Sequence, residues 1–189
     1  MRPQKVDHEH LMSGLMSVLR ANGFEGTSMV AISEATGLKK ASLYYRFPGG
    51  KKEMVEEVLN HVKSWSVKHI SDVLTNKKNS PQKRLGVVLD NINILYDGGR
   101  RACILKSIST ESGLPLFGTQ IKEGFKLWID AFTTLALDFG YEPQTAYNLA
   151  KESLVRIQGA LILSKGLGDL SPFRESLESI EKSYLQKAI

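Results

Sequence analysis

The sequence is poor in cysteine and has no long apolar run, and both absences narrow the kind of protein it can be. Its single cysteine, Cys103, excludes an internal disulfide and fits a reducing compartment. Unbroken apolar runs do not exceed about four residues, whereas a helix that crosses a bilayer needs roughly 20. The stretch MRPQKVDHEH also lacks the apolar core of a signal peptide. We therefore expect a cytoplasmic protein that does not interact with a membrane.

The motifs of common enzymes and metal sites are also missing. The sequence contains no P-loop, no dinucleotide-binding glycine fingerprint and no G-x-S-x-G motif, and its carboxylates form no paired constellation. His8 and His10 fall on different sides of a helix, and His61 and His69 lie two turns apart, so neither pair can share one ion. We therefore expect no catalytic residue, no metal and no cofactor, and we favour a binding protein over an enzyme.

Positive charge is concentrated near the N-terminus. The whole chain of 189 residues has a net charge of +5. Residues 1–52 contain 8 Lys/Arg and 4 Asp/Glu, whereas residues 53–189 contain 17 and 16. A generally basic protein would spread its excess evenly, so this placement predicts an anionic partner for the N-terminal part.

Apolar residues recur with helical period in every long segment, and no strand-like alternation persists. Glycine, proline and polar clusters separate the segments. The pattern predicts an all-α protein of about nine helices, at about 4–21, 29–36, 39–47, 51–74, 81–96, 101–111, 116–139, 144–165 and 171–186.

The second and third of these segments have the features of a helix-turn-helix. Ser28 is a good N-cap residue, and Gly37 can adopt the left-handed conformation that ends a helix in a tight turn. A short helix from Lys39 to Phe47 follows, and Pro48 and the next two glycines end it. In this motif the second helix enters the major groove of DNA.

The spacing T-x4-I-x2-A-x-G-L-x4-L-Y-x-x-F-x3-K resembles the DNA-binding signature of TetR-family repressors. The Phe-Pro-Gly-Gly-Lys sequence at 47–51 resembles a subset of that family. The resemblance implies a three-helix DNA-binding head at residues 1–50 and a helical effector-binding and dimerisation body at residues 51–189. The matching positions are Thr27, Ile32, Ala35, Gly37, Leu38, Leu43, Tyr44, Phe47 and Lys51.

The candidate DNA-binding residues are of two kinds. Thr27, Tyr44, Tyr45 and Lys51 supply hydroxyl and ammonium groups suited to phosphate oxygens. The exposed start of the third helix offers Lys39, Lys40, Ala41 and Ser42 to base edges.

Aromatic and apolar residues of the body are candidates for an effector site, because members of the family typically sense a small molecule there. The alternative is a filled aromatic core, which position by position is the simpler explanation of the same residues. Cys103 could act as a redox sensor beside two arginines, or could be a small buried apolar residue. The candidate ligand-binding residues are Trp65, Leu89, Ile92, Tyr96, Cys103, Phe125, Trp128 and Ile157.

The last two helices are candidates for a dimer interface, since small residues beside their apolar stripes permit close helix approach. The alternative is that the terminal helix covers its own body. The candidate interface residues are Leu154, Ile157, Leu161, Phe173, Leu177, Ile180 and Tyr184.

Together these features favour a homodimeric, ligand-responsive transcriptional repressor. It would bind a near-palindromic double-stranded DNA operator and be released by a small apolar or aromatic effector. One alternative is a helix-turn-helix DNA-binding protein without a small-molecule ligand, acting through a protein partner or as an activator. The other is a helical enzyme, for which the sequence offers no acid/base pair.

Overall fold

The computed structural model describes residues 7–186, and every regular element in that range is helical. The predicted all-α class with about nine helices is confirmed. The helices are α1 His8–Gly26, α2 Met29–Thr36, α3 Lys40–Arg46, α4 Gly50–Ser66 with its extension to Thr75, α5 Pro81–Leu95, α6 Ile104–Ile108, α7 Leu114–Asp138, α8 Pro143–Leu167 and α9 Ser171–Leu185. A 3₁₀ turn, Asp97–Gly99, follows α5.

The extension of α4 contains a π-helical turn. Gly50–Ser66 continues into the π turn Val67–Ser71 and then into Asp72–Thr75, and the residues at both junctions keep right-handed helical dihedral angles. The Asn91 side-chain amide donates to the carbonyl oxygen of His69 within this turn, at 2.8 Å. Nothing in the hydrophobic period of the sequence signals a π turn, because only one backbone hydrogen-bonding register changes.

Most helix ends lie where the capping residues predict them. The Ser28 hydroxyl accepts from the backbone N–H of Ala31 at 3.1 Å. Gly37 ends α2 in the left-handed region, with φ 68° and ψ 6°. The Ser80 hydroxyl caps α5, and Pro81 occupies its first turn, where a missing N–H removes no hydrogen bond.

Two helices differ from their predicted bounds. α1 begins only after Asp7, whose carboxylate accepts from His10 N–H at 2.7 Å, and the first four residues of the predicted helix lie at or before the edge of the described range. The helix predicted at 101–111 shrinks to α6, and its regular bonding ends where the Thr110 N–H bonds to the Ile108 carbonyl, only two residues earlier, at 2.8 Å. The Ser109 hydroxyl donates to the carbonyl four residues earlier, and the Thr110 hydroxyl accepts from Gly113 N–H.

The first of two compact units comprises Met1–Lys63 and Ile104–Ile121. Leu11, Leu15, Ile32 and Leu43 from α1–α3 are at most 1% exposed and form its core. α6 and the first turns of α7 belong to the same unit. The Ser107 hydroxyl donates to the carbonyl of Arg20 on α1 at 3.3 Å.

The second compact unit comprises Ser64–Cys103 and Lys122–Ile189. Phe132 and Tyr184 are fully buried at its centre. Arg84, only 3% exposed, donates to the Leu74 carbonyl at 2.6 Å and to the Asp138 carboxylate at 2.8 Å. Partial burial raises the pKa of Asp138, but hydrogen bonds from Arg84 and from a lysine outweigh it and hold the pKa below its ordinary value.

The two compact units are defined by which residues pack together. The predicted functional division into residues 1–50 and 51–189 is a separate matter and stays a prediction. Within residues 7–186, no helix has the length and apolar character needed to cross a membrane.

Candidate nucleic-acid interface

The turn between α2 and α3 is fixed by side chains as well as by glycine. The Ser33 hydroxyl donates to the Leu38 carbonyl at 2.6 Å, and the buried Thr36 hydroxyl donates to the Ile32 carbonyl at 2.7 Å. Gly37 supplies the left-handed residue between them. These bonds restrict how α3 leaves α2, so the motif holds its second helix in one orientation.

One face of α3 anchors the helix, and the other faces solvent. Leu43 is fully buried, and Phe47, just after the helix, is 6% exposed. Tyr44 is 50% exposed and Tyr45 is 91% exposed. A short helix that exposes tyrosine hydroxyls and lysine ammonium groups is suited to a ligand that offers both phosphate groups and base edges.

The predicted base-contacting residues all lie on this solvent-facing surface. The side chains of Lys39, Lys40 and Tyr45 form no hydrogen bond or ion pair with any other residue in the described range. Their donor groups are therefore available to a partner. The exposed residues of this surface are Lys39, Lys40, Ala41, Ser42, Tyr44, Tyr45 and Arg46.

Arg46 is a member of this surface that the sequence prediction left out. Its guanidinium NH2 lies 3.4 Å from Nδ1 of His8 on α1, and both side chains are exposed. It adds a positive charge at the end of α3. Its position one residue after Tyr45 was the available signal, because a long cationic side chain there extends the same exposed surface.

Two predicted phosphate contacts occupy the α1–α2 corner instead. Thr27 is 2% exposed, and its hydroxyl donates to the Gly23 carbonyl at 2.6 Å. The Lys51 ammonium donates to the carbonyls of Phe24 at 2.7 Å and Thr27 at 3.1 Å. In this conformation the Thr27 hydroxyl is buried and already bonded, and its contact with phosphate stays a prediction.

The predicted ligand-binding residues all belong to the second compact unit. Ile92 and Ile157 are fully buried, and four others are at most 8% exposed. Trp65 and Phe125 are half-buried. The Trp65 ring stacks on His69 with centroids 4.7 Å apart.

A cavity of about 270 Å³ lies elsewhere in the same unit. None of the predicted ligand-binding residues lines it. Its lining residues are Asp72, Val73, Asn76, Asn79, Lys83, Arg84 and Val87.

The predicted dimer-interface residues stay a prediction, and the single chain already buries them. All seven are between 0% and 9% exposed in the single chain, so their side chains already pack inside their own subunit. This burial is in line with the alternative that the terminal helix α9 covers its own body. The exposed apolar residues of α8 are different ones: Tyr147, Val155, Ile162, Leu163 and Leu167.

Comparison with known proteins agrees with this geometry. Residues 11–58 match a family described as bacterial regulatory proteins, tetR family. The HTH-type transcriptional regulator LmrA of Bacillus subtilis is 23% identical over 165 residues, which cover 82% of this chain and 85% of LmrA. That protein and the structures compared below are all described as transcriptional regulators.

Two solved structures share the fold over almost the whole chain. A TetR transcriptional regulator from Legionella pneumophila has a TM-score of 0.79 and 22% identity, covering 97% of this chain and 99% of that one. A cysteine mutant of the TetR-family regulator CifR, complexed with 26-bp double-strand operator DNA, has a TM-score of 0.75 and 19% identity. The match covers 96% of this chain and 98% of CifR.

Proposed function

Because the chain is a DNA-binding transcriptional regulator of the TetR type, we propose that it is a ligand-responsive repressor. In this proposal a dimer binds a near-palindromic operator, and a small apolar or aromatic effector releases it. The observation that carries the DNA-binding step is the exposed cationic and aromatic surface of α3, with Lys39, Lys40 and Tyr45 free of partners in the described range.

The chemical groups of these side chains indicate which residues contact bases and which contact phosphates. Lys40 can donate to O6 and N7 of guanine, and the Ala41 methyl can contact the methyl of thymine. Tyr44 and Tyr45 are suited to donate to phosphate oxygens, which fixes the register of the protein on the duplex. The operator complex of CifR, a protein of the same fold, supports a duplex operator as the partner.

A dimer is proposed because one recognition helix reads too few base pairs. Two heads that contact successive major grooves must be held about 34–36 Å apart. On α8, Val155, Ile162 and Leu163 project within about 100° of one another around the helix axis. They are 69%, 57% and 56% exposed. Such an exposed apolar strip is typical of a protein–protein contact.

Glycines on the same side of α8 would let a second copy approach closely. Gly159 and Gly166 share the face of Val155 and Ile162. Apart from the backbone of α8 itself, no atom lies within 4 Å of where a Cβ would be at either glycine. A second chain related by a two-fold axis would place the same strip against itself. We propose this face of α8, in place of the buried stripes, as the dimer contact.

In this proposal the effector binds to the second compact unit. Half-buried Trp65 and Phe125 are the predicted ligand-binding residues that a small molecule can contact without displacing a fully buried side chain. An effector that prefers a body conformation in which α4 carries the head differently would lower DNA affinity by linkage. Six of the eight predicted ligand-binding residues are buried, and this observation favours the alternative of a regulator without a small-molecule effector.

The proposal is tested by selecting bound duplexes from a random DNA pool with the full-length protein. We expect the enriched sequences to form an inverted repeat with half-sites one helical turn apart, about 10 bp centre to centre. Enrichment of a single unrepeated half-site would contradict the two-head dimer. No enrichment over input would contradict an operator-specific regulator.

A further inference from the structure

The corner between α1 and α2 has carbonyl groups that the helices themselves cannot satisfy. The last carbonyls of a helix have no intrahelical donor. Gly23 leaves the helical conformation near the end of α1, with φ 66° and ψ −170°. Two side chains supply the missing donors: the Thr27 hydroxyl bonds to the Gly23 carbonyl, and the Lys51 ammonium bonds to the carbonyls of Phe24 and Thr27.

The surroundings of Lys51 hold its ammonium in place. It lies 4.5 Å from the centroid of the Phe24 ring, within range of a cation–π interaction. The Phe24 ring in turn packs edge-on against the fully buried Phe117, with centroids 5.2 Å apart. Hydrogen bonds from a charged donor are stronger than neutral ones, and an aromatic neighbour strengthens the same attachment.

The position of Lys51 along the chain also favours a tertiary role. It lies in the first turn of α4, where the partial positive charge of the helix N-terminus disfavours a cation. Partners from outside the helix must therefore offset that repulsion. The Phe24 carbonyl in the last turn of α1 carries the opposite partial charge, and the Thr27 carbonyl just after the helix is a second acceptor.

The position of the α1–α2 corner determines the positions of α2 and of α3, the helix proposed to contact DNA bases. Ser28, next to Thr27, caps α2, and Gly37 then connects α2 to α3. A displacement of the corner would therefore move α2 and the exposed surface of α3 with it. Lys51 is 24 residues from Thr27 in sequence, so the attachment ties α4 to the start of the helix-turn-helix.

We infer that Lys51 is a positioning residue for DNA recognition: it holds the α1–α2 corner through two carbonyls and does not act as a phosphate contact. This inference rests on DNA binding by the head and needs neither the dimer nor the effector. It differs from the phosphate contact predicted for Lys51 from the chemistry of its ammonium group. The two roles have different consequences for specificity and for salt dependence.

The test compares Lys51→Met with the matched variant Lys52→Met. Both remove one positive charge from the first turn of α4, but Lys52 is exposed and pairs with Glu56 at 3.7 Å. Affinity is measured between about 50 and 200 mM salt for a selected operator duplex and for an unrelated duplex of equal length. We expect Lys51→Met to weaken operator binding at least about tenfold, to leave unrelated DNA within about twofold, and to leave the salt slope unchanged.

Lys52→Met should leave the ratio of operator to unrelated affinity unchanged. If Lys51→Met loses the same affinity for both duplexes and its salt slope is about one unit flatter, Lys51 is a phosphate contact and the inference is overturned. Unchanged binding to both duplexes would overturn it as well.

A second variant keeps the test valid if Lys51→Met folds poorly. Phe24→Leu removes the ring beneath the ammonium without changing charge. We expect it to lower the operator-to-unrelated ratio in the same direction, with an unchanged salt slope. Amide hydrogen exchange should be faster at residues 24–31 in both variants and unchanged at Leu11, Leu15 and Leu19.

The exchange experiment uses no DNA. If both variants exchange the amides of residues 24–31 at the wild-type rate, the inference is contradicted even when no operator is found. Faster exchange at that segment together with a failed DNA selection would instead contradict the proposed function alone.

Discussion

Among single residues, Lys40 gives the most direct test of base reading. Its side chain is exposed and has no partner in the described range. We expect Lys40→Ala to relax preference at one base pair of each half-site, at roughly 1–3 kcal/mol. Repeating the DNA selection with the variant measures this. Lys78→Ala, an exposed lysine of the second unit, is the control and should leave the selected sequence unchanged.

The ion pair between Arg84 and Asp138 gives a residue-scale prediction about stability. Removing the carboxylate with Asp138→Asn leaves the buried Arg84 uncompensated, which should lower the free energy of unfolding by about 3 kcal/mol. Asp130→Asn, on the same helix, breaks an exposed pair with Lys126 and should cost less than about 1 kcal/mol. Urea unfolding of both variants at neutral pH makes the comparison; equal losses would show that burial of Arg84 is not the cause.

The pH dependence of the same pair follows from its lowered pKa. The folded-state pKa of Asp138 lies below the ordinary 3.8, so its contribution to stability is fully present above that value. It is lost as pH falls through 3.8 towards the folded-state pKa. The difference in unfolding free energy between wild type and Asp138→Asn should therefore shrink between about pH 5 and pH 3. A constant difference over that range would contradict the carboxylate as its source.

The residues at the α1–α2 corner show what sequence reasoning could not supply. The resemblance identified Thr27 and Lys51 as important positions, and the structure places them together. Their hydrogen bonds join groups whose proximity depends on the folded corner, and a motif does not state which partner a side chain meets. The exposure of Lys40 and Tyr45 could be predicted, because on a short helix with one apolar face it follows from helical period alone.

At the scale of elements, helical period and capping residues predicted most boundaries, including the stop at Gly37 and the start at Pro81. Period also identified the buried stripes of α8 and α9 correctly as apolar faces. Helical period does not indicate which part of the protein covers these faces. In the structure, Leu177 and Ile180 are buried within their own chain. The bounds of α6 were wrong because the backbone turns that flank it, such as the one in which Thr110 N–H bonds to the Ile108 carbonyl, do not alter the apolar period.

The exposed strip of α8 gives the element-scale prediction. Val155→Glu with Ile162→Glu should produce a folded monomer, because both side chains are exposed in the single chain and two charges oppose the same strip in a second copy. Sedimentation measures the assembly state, and operator affinity should fall with it. Val87→Glu with Ile94→Glu on α5 adds the same charges at other exposed apolar positions and should leave the dimer intact. A fully dimeric α8 variant would place the interface elsewhere.

At the scale of the whole molecule, effector and operator must oppose each other equally. A small aromatic compound that stabilises the protein in a thermal screen should weaken operator binding by a coupling of about 1–3 kcal/mol. The operator must weaken the compound by the same factor, which calorimetry with and without the duplex measures. A compound that binds tightly and leaves operator affinity unchanged would contradict induction by that compound.

The reactivity of the Cys103 thiol measures how often the packing around it opens. Cys103 is the one cysteine in the sequence and is 6% exposed, so an aromatic disulfide reagent can react with it only when the surrounding packing opens. The reaction rate in the native protein, relative to the rate in urea, gives the free energy of that opening without any introduced label. Compounds that close the body around themselves should protect the thiol, so colorimetric protection can rank candidate inducers before any operator is known.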